Sequence, residues 1–279
     1  MKIPKSFEML VQNGLVDEVI CQLMSGKEAE VYVVLSAGEI RCAKVYKDAG
    51  RRSFSQQAQY QEGRKVRNSR RARAMDKHSS FGRKEQENAW QNAEVDALQR
   101  LASAGVRVPK LHCYLGGVLL MELVTDDEGN AAPRLNDIEL TPSLAREYHR
   151  RLIDQIVLML CAGLVHGDLS EYNVLVGSEG PVIIDLPQAV DAAGNNNASR
   201  MLERDVDNMA AYFGRFAPEL LTSQFGKEIW KLYASGKLMP GMELTGHFER
   251  SSKIADVGGV LREVDAARRW HEMQELRRS

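Results

Sequence analysis

The 279 residues contain only four cysteines, Cys21, Cys42, Cys113 and Cys161, and no two of them form a C-x-x-C pair or stand at metal-ligand spacing from a histidine. This excludes a disulfide framework and a zinc module, and points to reduced, mostly packed thiols in a reducing compartment. Net charge is nearly absent: 37 Lys and Arg against 38 Asp and Glu leave −1. The molecule as a whole is therefore not built for nucleic acid or a membrane surface. Long apolar runs are missing too. The most apolar stretch, Leu152 to Val165, is interrupted by Asp154 and Gln155 and is too short to span a bilayer. Met1-Lys2-Ile3-Pro4-Lys5 has no apolar core, so no signal peptide is expected. The default expectation is a cytoplasmic protein with no membrane partner. No internal repeat is found.

What remains is an ordinary globular composition, 44% hydrophobic and 27% charged, in a chain long enough for two lobes. Ser6 to Val11 reads as a short helix. Asp17 to Leu23, Val31 to Leu35 and Arg41 to Tyr46 read as an antiparallel meander. Then the composition shifts. From Arg51 to Lys84 there are eleven Lys and Arg against two acids, which reads as a basic insertion over about 50–84. A helix is expected from about Glu85 to Ala104, with Trp90, Val95, Leu98 and Leu101 on its apolar face and Gly105 as its stop. Val118 to Leu123 is a buried strand, and Asp126 to Asn130 a polar linker between lobes. A long helix over Ser143 to Ala162 starts at Thr141-Pro142. Asn173 to Val176 and Val182 to Ile184 form a hairpin, and helices fill the rest. Strands first and helices later give an α+β, two-lobed protein: an N-lobe over 1–123 and a mostly helical C-lobe over 124–279.

The chemistry gathers in His166-Gly167-Asp168-Leu169-Ser170-Glu171-Tyr172-Asn173. A polar loop here follows an apolar helix, and Asp168 and Asn173 have the spacing of a kinase catalytic loop. There the Asp accepts the proton of the acceptor hydroxyl and the Asn holds Mg²⁺. The strand Ile183-Ile184 ends at Asp185, and a hairpin of that length returns Asp185 beside Asn173, so that two hard oxygens can share one cation. Lys44, on an apolar strand, is costly unless paired. Glu94 is the expected partner, with Glu85 and Glu87 as alternatives on the same helix. The loop Ser25-Gly26-Lys27-Glu28-Ala29-Glu30 lies where phosphates would be covered, although it is neither G-x-G-x-x-G nor a Walker A loop.

Ser25 to Ala29, Lys44, the basic insertion, Trp90 with Glu94, His166 to Asn173, Asp185-Leu186-Pro187-Gln188 and Glu203-Arg204-Asp205-Val206 together resemble the RIO family of atypical serine protein kinases. The resemblance covers about residues 15 to 220, and the short N-terminal part is similar to prokaryotic-type members. It implies a trimmed protein-kinase-like fold: an antiparallel N-lobe sheet with one main helix, a mostly helical C-lobe, and neither activation segment nor peptide-binding subdomains. ATP and Mg²⁺ (or Mn²⁺) would bind between the lobes, with the backbone of Met121 to Leu123 receiving adenine. His166, Ser170 and Asp205 would support the catalytic loop, Asp205 from a C-lobe helix. The resemblance further implies autophosphorylation on serine, an ATPase switch in ribosome assembly, and an aspartyl-phosphate at Asp185.

This chain departs from the common kinase pattern in places. His166-Gly167-Asp168 lacks the Arg that reads a phosphorylated activation loop, which points to a site that does not wait for one. Ala217-Pro218-Glu219 mimics the motif that closes an activation segment but follows Asp205, so it is read as coincidence. The rival anchor Glu228-Ile229-Trp230 carries Glu where Asp is expected. The basic insertion is either a solvated loop or a surface for rRNA or an acidic partner. Its serines Ser53, Ser55, Ser69, Ser79 and Ser80 are candidate autophosphorylation sites. His112, His149, His247 and His271 show no ligand constellation, and Trp230 and Trp270 read as packing. Two other functions compete: a small-molecule kinase of the aminoglycoside or choline phosphotransferase type, and a pseudokinase scaffold. Leu186-Pro187-Gln188 argues against the first, and intact Lys44, Asp168, Asn173 and Asp185 against the second.

Overall fold

The computed structural model describes residues 4–26, 29–47 and 80–248, with the backbone alone for 80–91. By compactness, residues 1–247 form one unit and 248–279 another, and the following concerns the first. Strands β1 (Glu18–Ser25), β2 (Ala29–Ser36) and β3 (Glu39–Tyr46) form the meander, and β4 (Leu111–Leu115) and β5 (Val118–Glu122) complete a five-stranded antiparallel sheet in the order β1-β2-β3-β5-β4. Two hairpins close with two residues each at positive φ, Ala37-Gly38 at 52° and 79° and Gly116-Gly117 at 60° and 79°. That is the turn whose twist matches paired strands. The remaining connection, 26–29, is drawn together by Gly26 N–H donating to Ala29 O at 2.9 Å.

Strand alternation gives the sheet two different faces. Tyr32, Val34, Ala43, Val45, Val118 and Leu120 point outward, where Phe7, Leu10 and Val16 cover them. Phe7 comes from a 3₁₀ turn (Lys5–Phe7) and Leu10 from helix α1 (Glu8–Gln12), so the N-terminal helix roofs the sheet. Lys44, Tyr46 and Leu119 occupy the other face. There α2 (Ser80–Ser103) contributes Ala97, Leu98 and Leu101 to a core continuous with the helical half.

In that half α3 (Pro142–Cys161) is started by Thr141, whose Oγ1 accepts from Leu144 N at 3.2 Å, with Pro142 in its first turn and Gly163 at φ 77° just past its end. It buries Leu152, Ile153, Ile156, Val157, Met159 and Leu160. Two short ladders follow: β6 (Leu164–Val165) pairs with β9 (Val190–Asp191), and β7 (Val174–Gly177) with β8 (Gly180–Ile183). Helices α4 (Ala198–Phe213) and α5 (Phe225–Ala234) complete the unit. The chain passes from Asp185 through β9 directly into α4 with no activation segment, so the fold is α+β and kinase-like in trimmed form.

The structure extends some sequence expectations. Helix α2 begins at Ser80, so the last five residues read as insertion are helical. The rest of the insertion, with Ser53, Ser55, Ser69 and Ser79, lies outside the described residues. The edge strand β4 and the two-residue β6 and β9 were not read from the sequence. Asp126 to Asn130 is a closed turn rather than an open linker: Asp126 Oδ1 accepts from Glu128 N and Asn130 N at 3.0 and 2.9 Å. Among the described residues all four cysteines are free thiols, and no helix is long and apolar enough to cross a membrane.

Candidate active site

Lys44 and Tyr46 are two residues apart on β3 and so share its inner face. Glu94 lies one turn before Ala97 and Leu98 on the inward side of α2 and is 3% exposed. The Lys44 ammonium donates to both Glu94 oxygens at 2.8 and 3.1 Å and to Asp185 Oδ1 at 2.7 Å. Tyr46 O–H donates to Glu94 Oε2, and the Lys44 nitrogen lies 5.5 Å from the Tyr46 ring centroid. Burial alone would push the Lys44 ammonium down. The Asp185 and Glu94 carboxylates outweigh that and hold it above the ordinary lysine value. Desolvation would likewise raise the Asp185 carboxyl, but the Lys44 charge holds it below the usual aspartate value. Burial, then the Glu94 charge, pushes the Tyr46 phenol far up, so it stays a donor.

The ladders bring the polar loops together. The pair Val165–Val190 ends just before His166, and the pair Val174–Ile183 just after Asn173. Ile184 N–H donates to Asn173 O at 3.0 Å, which sets Asp185 beside Asn173. Asn173 spends its side-chain N–H on Asp168 O at 2.8 Å, and its side-chain oxygen has no hydrogen-bond partner among the described residues. His166 Nε2 donates to Ile184 O at 3.0 Å while Nδ1 accepts from Asp168 N at 3.3 Å, so the histidine joins the two loops. Gln188 Nε2 donates to Asp168 Oδ2 at 3.3 Å. Desolvation in the cleft lifts the Asp168 carboxyl above its ordinary value, with the Asp185 charge adding to the lift and Arg204 opposing it.

Helix α4 clamps this loop from below. Asp205 accepts from Gly167 N at 2.7 Å and from Leu169 N at 3.1 Å. Asn208 Nδ2 donates to Leu169 O at 3.0 Å, and Arg204 donates to Gly167 O. Burial pushes the Asp205 carboxyl up to about 6 against the pull of those backbone donors. Gly167 sits at φ 83°, a backbone that favours glycine, which gives it a local reason independent of any activation loop. Ser170 contributes its carbonyl, accepting from Asn173 N at 2.9 Å; its hydroxyl makes no hydrogen bond among the described residues. The rival anchor does something else: Glu228 accepts from Thr245 N and Gly246 N at 2.9 and 2.8 Å. Glu219 of the Ala217-Pro218-Glu219 mimic pairs with Arg146 on the surface.

At the β1–β2 connection, Ser25 ends β1, Gly26 follows it and Ala29 opens β2, while Lys27 and Glu28 lie outside the described residues. Lys47, just beyond β3, donates to Gly26 O at 2.8 Å and to Ser25 Oγ at 3.0 Å, tying this loop to the strand that carries Lys44. Met121, next to last in β5, lies opposite Cys42 and Leu111. The Leu123 backbone has no hydrogen-bond partner among the described residues. Behind it, Arg107 makes a two-pronged pair with Glu122 at 2.7 and 3.0 Å, and its own N–H donates to Gln155 Oε1 of α3 at 2.6 Å.

Tyr46, Lys47, Gln188, Arg204, Asn208 and the Arg107–Glu122 pair were not picked out as site residues from the sequence. Tyr46 had a signal in its strand period with Lys44, and Arg204 and Asn208 in their helical spacing around Asp205. Lys47 had none.

A family model described as RIO domain matches residues 30–225. The RIO-type serine/threonine-protein kinase Rio1 of Haloferax volcanii is 35% identical over 213 residues, 74% of this chain and 67% of the relative. Serine/threonine-protein kinase rio1 of Schizosaccharomyces pombe is 29% identical over 74% of this chain, and RIO1 of Homo sapiens 30% over 77%. The matched region spans only 40% and 36% of those two longer relatives. With the model covering most of the chain and the archaeal relative matched over two thirds of its length, this chain belongs to the RIO family.

Proposed function

We propose that the chain transfers the γ-phosphoryl group of ATP to serine or threonine hydroxyls of protein, its own included. The observation that carries this reading is the convergence of Lys44, Glu94, Asp185, Asn173 and Asp168 in one cleft of a chain whose relatives are named serine/threonine kinases. The nucleotide would lie where the sheet-bearing part, residues 1–123, meets the helical part from 124 onward. Lys44, steadied by Glu94, offers its ammonium to the α/β-phosphates. Ser25 to Ala29 cover the phosphates, and the Leu123 backbone, with Met121 beside it, meets the adenine edge.

Among the described residues no group of three or more His, Cys, Asp or Glu could hold a metal by itself. Asp185 and Asn173 instead supply two hard oxygens, and the Asp185 side chain is 42% exposed. That donor set suits Mg²⁺ (or Mn²⁺) completed by phosphate oxygens and water. Such a cation, when bound, neutralises charge on the β- and γ-phosphates. In the transfer, the acceptor oxygen forms a bond to γ-phosphorus, the bond from that phosphorus to the β–γ bridging oxygen breaks, and ADP leaves. Asp168 takes the hydroxyl proton. Its raised carboxyl sits closer to working pH than a free aspartate, which suits a general base.

Contact of the basic segment 50–84 with rRNA or a ribosome-assembly partner belongs to the same reading, supported by its eleven cations against two acids. The family match favours protein over small-alcohol acceptors. The test is γ-labelled ATP with Mg²⁺, supplied with the chain alone, a generic protein, or small alcohols. Label on protein serine that disappears in Asp168→Ala supports the proposal. Label on small alcohols alone would sink it.

A further inference from the structure

Asn197, Arg200, Met201 and Arg204 recur at helical spacing and share one face at the start of α4. They line a small, open depression of about 160 Å³. Met201, 3% exposed, is its floor. The described lining carries two guanidinium groups and no carboxylate. Arg204 reaches Gly167 O, the carbonyl just before Asp168, so the depression adjoins the loop that carries the proposed general base. Arg200 is exposed and makes no hydrogen bond or ion pair among the described residues. Nothing described so far uses it.

We infer that this depression receives an acidic or phosphorylated side chain of the acceptor protein, with Arg200 as the residue that selects it. The inference rests on the protein-kinase reading and names its substrate class. A planar guanidinium fork matches carboxylate and phosphate oxygens two at a time. Arg200 lies one helical turn, about 6 Å along the axis, from Arg204, and Arg204 meets the loop only through the length of its side chain. An extended peptide advances about 3.3 Å per residue, so the acidic group stands at least two residues from the hydroxyl that Asp168 serves.

The experiment is a peptide series with one serine. Alanine, aspartate, phosphoserine or lysine is placed at each position two to five residues to either side, and each peptide is assayed with labelled ATP. Wild type should favour aspartate or phosphoserine over alanine by about tenfold in kcat/KM, chiefly through KM, on one side of the serine. In Arg200→Ala that ratio should fall to near one, and Arg200→Glu should turn the preference toward lysine. Preference for phosphoserine alone would identify a phosphorylated acceptor, and equal preference an acidic one. Equal use of all peptides by wild type would overturn this inference and leave the kinase reading standing. So would Arg200 variants that slow every peptide alike, the mark of a structural role. Transfer to none of them, in a chain that still hydrolyses ATP, would overturn both.

Discussion

Asp185 holds φ at 65°, one of two non-glycine residues at positive φ among those described. Such a backbone costs on the order of 1–3 kcal/mol and persists where neighbours over-determine it. Here Lys44 binds its carboxylate, while buried Leu186 and the Ile184–Asn173 bond fix the chain before and after it. Asp185→Asn keeps a residue that tolerates this conformation while removing the charge, so it should fold and lose metal-dependent ATP affinity, as a titration with and without Mg²⁺ would read. Tyr46→Phe deletes the buried hydrogen bond to Glu94. It should lower stability by about 2 kcal/mol, typical of a bond to a charged group, in chemical denaturation. It should also raise KM for ATP more than it lowers kcat. His149 is 2% exposed, has no partner for Nε2 among the described residues, and packs against the rings of Phe213 and Phe225. Burial pulls it from 6.5 down to about 4. The unfolded chain therefore binds the extra proton between those values, and stability present above pH 6.5 is lost as pH falls toward 4, by about 3 kcal/mol in all. Asp205, raised to about 6, runs the other way, losing stability as pH rises from about 4 to 6. The difference between the denaturation profiles of wild type and His149→Leu isolates the histidine. A flat difference would contradict its buried, neutral state. At this scale, chemistry-bearing types at motif spacing were legible: Lys44, Asp168, Asn173 and Asp185. A residue whose role is to hold others, such as Lys47, carries no spacing signal, because its partners Ser25 and Gly26 belong to a different strand end.

Helix α4 acts as one element on one loop. Arg204, Asp205 and Asn208 present one acceptor and two donors to Gly167 and Leu169, so both backbone directions of the loop are held. Asn208→Ala removes the donor farthest from Asp168. We expect kcat to fall about tenfold as the loop loosens, with KM for ATP within about twofold, since misplacement of catalytic groups is felt in the reaction step. Steady-state kinetics would check it, and a parallel rise in KM for ATP would contradict the clamp. Long periodic elements were readable in the sequence, as α3 was, because an apolar face and a Thr-Pro start signal coincide. The short ones were not. β6 and β9 are two residues each, below any period, and β4 alternates weakly as an edge strand. Helix α2 starts at Ser80 inside a run of mixed charge that resembled the insertion before it.

Across the whole unit, the core on the inner face of the sheet continues without a break through α2 into α3 and α4. A second cluster between the sheet and α1 stabilises the outer face. The Arg107–Glu122 pair and the Gln155 contact pin the sheet to α3 behind the cleft, so the charged residues facing it are set by packing on both sides. In the reaction proposed above the work divides on this frame: Lys44, Glu94, Asn173 and Asp185 would serve the nucleotide, while Asp168, held by α4 and His166, would serve the acceptor. The most direct test is the single-turnover rate of transfer to protein by Asp168→Asn at saturating ATP and Mg²⁺, beside wild type. The rate should fall by about 10²–10⁴-fold, the usual share of a general base, with the half-saturating ATP concentration unchanged. A wild-type rate, or a loss that vanishes when ATP is raised, would contradict the assignment of Asp168 to the acceptor.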